Sequence, residues 1–287
     1  VVKKWLNLGA SGWRLDVADE LPMDFLRELR KEVKSVDEDA AVLGEVWEDA
    51  SHKVSYGVMR SYVLGDTLDS VMNYPLRDAL IDFLMIRRSA GAVVRELASI
   101  QQNYPKPFLY SLMNMMGSHD RPRILNVLAG NDGSDIPRDK RAEHKLSQEE
   151  RMVGTLRQRM MLRMIMSVPG MPCVYYADEA GLEGCADPFC RRTYPWGNED
   201  EELLFHYKRL GSLRRDLPIF AKGDFKVIDS KEGYIIYERA LEKERVTVLA
   251  NSSEEAVSVP FVGRDVLTGK QFDGLLEGES AVVLWNS

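Results

Sequence analysis

Three carboxylates stand out by position more than by type. Asp16 closes the run GWRLD, Glu45 sits near the end of AAVLGEV, and Asp120 follows an apolar stretch from Leu112 to Gly117. In a parallel α/β sheet or barrel the C-terminal strand ends form one face, where catalytic groups collect. Each residue alone reads as a helix cap or a surface group. Three on one rim need an explanation, because acidic side chains are seldom buried without partners. Arg14 stands two residues before Asp16 and so shares its face of the strand. It can hold that carboxylate ionised through a charge-assisted bond. His119 adjoins Asp120, and together they can grip the hydroxyls of a distorting sugar ring. Trp47, just past Glu45, offers an aromatic plane to an apolar sugar face. Retaining glycoside hydrolysis uses such a set. One carboxylate attacks the anomeric carbon, and a second carboxyl group about 5–5.5 Å away protonates the leaving oxygen. That acid keeps its proton through partial burial and a neighbouring negative charge.

Other chemistries compete for the same residues. Asp16, Glu45 and Asp120 could ligate one Mg²⁺, as carboxylates on successive strands do. Their unequal spacing, and the lack of a Lys near a strand end to act as base, argue against it, and no metal ligand is expected. His119 and Asp120 with His52 could form a phosphohydrolase metal site, but that dyad normally lies on helices and here follows an apolar strand. A non-catalytic carbohydrate-binding role is the rival from outside enzymology.

The elements that must position these groups follow from periodicity. Short apolar runs alternate with helical patterns over residues 1–218, the signature of a parallel α/β architecture. Strands are predicted at 12–16, 40–46, 68–72, 112–117 and 172–176. Pro22 opens a helix in which Phe25, Leu26, Leu29 and Val33 line one face. Further helices are predicted near 75–86, 90–102, 147–167 and 200–215. The third of these carries Met152, Met160, Met161, Met164 and Met166, read as core filling. The polar stretch 129–146 reads as a long solvated loop. After Leu217-Pro218 the runs DFKVI, GYIIYERA, RVTVLAN, SVPFV and SAVVLW, punctuated by Gly, Asn, Ser and Asp, predict an antiparallel β module over 219–287.

Composition bounds the answer. The chain has 287 residues, 45% hydrophobic and 29% charged, which excludes a disordered, collagenous or coiled-coil protein. A net charge of −7 disfavours nucleic acid or an anionic membrane as partner. No apolar run approaches the roughly 18 residues that span a bilayer. Cys173, Cys185 and Cys190 are too few for a disulfide framework or a tetrahedral zinc site and fit a reducing, cytoplasmic compartment. The first residue is Val, not Met, which leaves an upstream signal peptide open.

Three segments now combine. Gly12-Trp13-Arg14-Leu15-Asp16-Val17-Ala18-Asp19-Glu20, Gly44-Glu45-Val46-Trp47 and Gly117-Ser118-His119-Asp120 resemble regions II, III and IV of the α-amylase family, glycoside hydrolase family 13. The likeness extends through Met72-Asn73-Tyr74-Pro75, through Arg121-Pro122-Arg123 and on to Trp196. Within the family the chain looks most like the neopullulanase, cyclomaltodextrinase and maltogenic amylase group. The resemblance implies strands four to eight, about five βα units, of a (β/α)8 barrel, followed by a C-terminal β-sandwich. It implies Asp16 as nucleophile, Glu45 as general acid/base and Asp120 as transition-state stabiliser. Arg14 and His119 would complete the first subsite, with Asp187 and Arg191 on the neighbouring sugar. The implied substrate is an α-glucan, maltooligosaccharide or cyclodextrin. No cofactor is required, although calcium and a homodimer are compatible with the longer enzymes of this group.

Two residues depart from the pattern: Asp19 stands where Asn is usual, and Glu48 where His commonly follows the Trp. Both bear on substrate preference more than on reaction type. The family's region I has no counterpart, because only eleven residues precede Gly12. A closed barrel needs eight strands and about 250 residues. The chain is therefore expected to be the C-terminal portion of a longer enzyme and, expressed alone, to be poorly soluble, to pair with another chain or to turn over negligibly.

Overall fold

The computed structural model describes residues 1–231 and 233–286. The chain divides into two units, residues 1–77 with 96–114, and residues 78–95 with 115–287.

The first unit is built on parallel strands. Helix α1 (Val2–Asn7) precedes β1 (Gly12–Leu15), α2 (Met23–Lys34) follows, and β2 (Ala41–Gly44) returns beside β1. A hairpin of β3 (Val54–Ser55) and β4 (Val58–Met59), which sequence pattern does not reveal, leads to β5 (Ser70–Val71). The sheet order is β1-β2-β5, parallel throughout, with Leu15 opposite Gly44 and Gly44 opposite Val71. A parallel bridge between Met72 and Met113 extends this pattern. Helix α2 starts at its N-cap Pro22 and buries Leu26, Leu29 and Val33. Phe25 does not join them and is half exposed. It precedes Leu26 by one residue, about 100° around the helix, so it falls off the buried stripe.

Helices α3 (Tyr74–Leu84), α4 (Ala90–Asn103) and α5 (Lys106–Ser111) and strand β6 (Met113–Met115) follow in sequence. The second unit then contains α6 (Ile124–Leu128), α7 (Gln148–Ser167), β7 (Met171–Cys173), α8 (Glu201–Asp216) and α9 (Pro218–Lys222). Ser147 and Glu150 close a capping box that starts α7. Met160, Met161, Met164 and Met166 fill the core as expected, whereas Met152 lies one turn in from the helix start and is exposed.

The C-terminal β domain comprises β8 (Asp224–Lys231), β9 (Tyr234–Leu241), β10 (Glu244–Asn251), β11 (Val257–Ser258), β12 (Gly263–Asp265), β13 (Gln271–Phe272), β14 (Leu275–Leu276) and β15 (Ser280–Asn286). Six of them form an antiparallel sheet in the order β13-β12-β15-β10-β9-β8, and β11 pairs with β14. Tyr234, Ile236, Leu249, Phe272 and Leu284 on the sheet pack with Val259 and Leu276 into one core. Ile235 and Tyr237, pointing the other way, are also fully buried. The Tyr237 hydroxyl meets the Ser167 hydroxyl at the end of α7, 2.6 Å away.

Arg239 is the polar pin of this contact. It is fully buried and donates to the carbonyls of Ser167, Phe220, Gly223 and Asp224, around the ends of α7 and α9. Helix ends leave carbonyls without intrahelical partners, and buried ones cost about 1–3 kcal/mol each if unmet. Arg239→Met is therefore expected to lower stability by about 3 kcal/mol, read as a fall in the urea midpoint. An unchanged midpoint would show that water replaces the guanidinium there.

Candidate active site

Register creates the first cluster. Because Leu15 pairs with Gly44, the next residue on each strand, Asp16 and Glu45, emerges at the same level. Arg14 then reaches both. One guanidinium nitrogen pairs with the Asp16 carboxylate, and Nη2 lies 3.1 Å from Glu45 Oε1. Asp16 is largely exposed and Glu45 is buried, its side chain 5% exposed. Glu45 Oε2 accepts the Val17 N–H at 2.8 Å, and Oε1 accepts the Trp47 indole N–H at 3.1 Å. Val17 makes this possible with φ of 43° and ψ of 60°. A β-branched residue in the left-handed region is strained, and strain of this kind persists where surrounding contacts hold it. Gly44 is required by packing: a Cβ there would lie 2.6 Å from the Leu68 side chain.

The motif Met72-Asn73-Tyr74 supports this cluster from β5. The Met72 sulfur accepts from Arg14 Nη2 at 3.7 Å, Asn73 donates to Asn114 at 2.8 Å, and Tyr74 stacks under Trp47 with ring centroids 4.9 Å apart.

His119, Asp120, Asp187 and Arg191 form a second cluster, in the second unit. His119 Nε2 lies 3.3 Å from Asp120 Oδ2, and Arg191 Nη2 lies 3.5 Å from Asp120 Oδ1. Arg191 Nε also pairs with Asp187 at 2.5 Å. The structure thus brings Asp16, Glu45, Arg14 and Trp47 together, and separately His119, Asp120, Asp187 and Arg191. Behind the second cluster is a buried ion pair that sequence reasoning missed. Arg123 and Asp178, both essentially inaccessible, meet at 3.0 Å. Arg123 Nε donates to the Cys190 carbonyl at 2.7 Å, and its guanidinium carbon lies 4.2 Å from the Tyr175 ring centroid. A Cβ on Gly117 would collide with the Asp178 carboxylate, which explains a glycine just before Ser118-His119-Asp120.

The two departures Asp19 and Glu48 meet on one cation. Lys53 Nζ lies 3.2 Å from Asp19 and also pairs with Glu48. Burial works to lower the Lys53 pKa, but the bonds to Glu48 and Asp19 outweigh it, and the ammonium is raised above its ordinary value. Tyr62 donates to Asp19 at 2.7 Å, and burial followed by that bond pushes its phenol up. The Asp19 carboxylate is therefore fixed from two sides.

All three cysteines are free, and burial raises their thiols. Among the described residues no group of three or more His, Cys, Asp or Glu side chains could hold a metal ion. No described helix is long and apolar enough to cross a membrane.

A model of the alpha-amylase catalytic domain matches residues 1–202. The chain belongs to the alpha-amylase family. It is 36% identical over 245 residues to the amylopullulanase of Thermoanaerobacter thermohydrosulfuricus, across 79% of this chain and 16% of that protein. The cyclomaltodextrinase of Geobacillus thermopakistaniensis is 32% identical over 285 residues, across 95% of this chain and 43% of that protein. Among solved structures, the cyclic alpha-maltosyl-(1→6)-maltose hydrolase of Arthrobacter globiformis matches with a TM-score of 0.79 and 26% identity, covering 100% of this chain and 58% of that one. The chain spans less than half the length of these curated relatives.

Proposed function

We propose that this chain carries the catalytic carboxylates of a retaining α-glycosidase acting on α-1,4- or α-1,6-linked glucans, maltooligosaccharides or cyclodextrins. The supporting observation is the single guanidinium of Arg14 shared by Asp16 and Glu45 at the ends of paired parallel strands. Exposed Asp16 is the nucleophile. Its carboxylate attacks the anomeric carbon while Glu45 gives a proton to the departing glycosidic oxygen. Glu45 then takes a proton from water, which attacks the glycosyl–Asp16 ester and frees Asp16. Arg14 aims the Asp16 carboxylate through the ion pair between them. Asp120, with His119, binds the sugar hydroxyls of the reacting ring, and Asp187 and Arg191 bind its neighbour. Residues 1–218 are read as strands four to eight of a (β/α)8 barrel, which a longer protein would complete.

The test is product analysis on cyclodextrin, pullulan, starch and maltotriose. It compares this chain with the same chain joined to the first three barrel strands of a cyclomaltodextrinase. Release of α-anomeric maltooligosaccharides by the joined protein alone is the expected result. Turnover by the chain alone would overturn the incomplete-barrel reading, and silence from both would move the assignment to carbohydrate binding.

A further inference from the structure

Trp47 reads from sequence as a sugar platform, and it also makes two specific contacts within the protein. Its indole N–H donates to Glu45 Oε1 at 3.1 Å, and its ring lies against Tyr74 at an interplanar angle of 25°. Tyr74 is fully buried, so the surface on which Trp47 rests is fixed by the core. Val46, between Glu45 and Trp47, is also fully buried and anchors this turn of chain after β2. The chain of contacts runs from buried Tyr74 through the Trp47 ring to the Glu45 carboxylate.

We propose that Trp47 is a positioning residue for Glu45: its indole N–H on Oε1 and the Val17 N–H on Oε2 together fix the plane of the carboxyl group that protonates the glycosidic oxygen. This rests on the assignment of Glu45 as the acid/base. Val17 and Trp47 grip the carboxylate at opposite oxygens, and rotation about its last bond would break both bonds. Arg14 lies at the same Oε1 as Trp47. Loss of the indole N–H therefore removes one of three contacts, leaves Arg14 on Oε1 and the Val17 N–H on Oε2, and holds the carboxyl group less tightly. The Met72-Asn73-Tyr74 segment gains a role as the mount for both Arg14 and Trp47.

The discriminating variant is Trp47→Phe in the joined protein, which keeps an aromatic ring on Tyr74 and removes only the donor. A positioning role appears in steps that need Glu45 to move a proton. For maltotriose, whose leaving group must be protonated, kcat/KM is expected to fall about 30-fold. For α-maltosyl fluoride, whose fluoride leaves without a proton, kcat/KM should stay within about twofold. Azide needs no base to attack the glycosyl–Asp16 ester. It forms the C–N bond as the C–O bond to Asp16 breaks, and should restore turnover as maltosyl azide. A rise in KM with kcat unchanged, or equal losses on both substrates, would overturn the proposal and leave Trp47 as a platform. A wild-type protein inert on both substrates would remove the glycosidase assignment as well.

A second measurement needs no turnover. Glu45→Gln should shift the Trp47 indole N–H resonance in a ¹H–¹⁵N spectrum and leave the indole signals of Trp5, Trp13 and Trp196 in place. An unmoved Trp47 signal would show that the contact does not form.

Discussion

Asp16→Asn is expected to lower kcat/KM for maltotriose by at least about 10⁴-fold in the joined protein. The amide keeps the size of the carboxylate but cannot form the glycosyl ester, and it no longer balances the Arg14 charge at the mouth of the cluster. On the roles proposed for Asp187, Arg191, His119 and Trp47, all of them untouched, sugar binding should persist. Steady-state kinetics with isothermal titration of maltotriose read the two effects separately. Retained turnover would displace Asp16 as nucleophile. Loss of binding together with turnover would mean that the residue shapes the site without acting on bonds.

Asp178→Ala has the largest expected effect on stability. It leaves Arg123 buried with its counter-charge removed, and breaking one partner of a buried pair typically costs about 3–5 kcal/mol. For a chain of this size that corresponds to a fall of about 10 °C in Tm. The cost has a local address. Arg123 holds the Cys190 carbonyl, its backbone N–H donates to the Gly184 carbonyl at 2.9 Å, and Cys190 lies between Asp187 and Arg191. The Cys190 thiol is buried, raised in pKa by that burial, and donates to the His119 carbonyl at 3.1 Å. Asp178→Ala should therefore speed labelling of Cys190 by a thiol reagent, whereas the double variant Arg123→Met with Asp178→Leu should recover much of the lost stability. Unchanged Tm and labelling would show that the pair is stabilised by water and does not organise the segment.

Local pattern accounts for much of what the sequence reveals. Short apolar runs marked the strands that lead to Asp16 and Glu45, and a period of 3.6 marked α2. The motif segments carried the family, because side-chain type and order along a strand end survive without contacts. Errors occurred where burial depends on which neighbour a helix face meets, as at Phe25 and Met152. The β3–β4 hairpin and the short helices α5, α6 and α9 carry too few residues to show a period.

Sequence by itself therefore determined the α-amylase family, the alternation of strands and helices, the β-rich C-terminal region and the types of group available for chemistry. Tertiary structure alone decided which groups meet. Arg14 spans Asp16 and Glu45 because β1 and β2 pair in parallel with Leu15 opposite Gly44. Lys53 joins Asp19 to Glu48, Arg123 finds Asp178 55 residues away, and Tyr74 supports Trp47. Periodicity fixes only the direction of a side chain relative to its own element. An ion pair or a ring stack needs the separation between two elements, and that is set by register and packing among residues far apart in the chain.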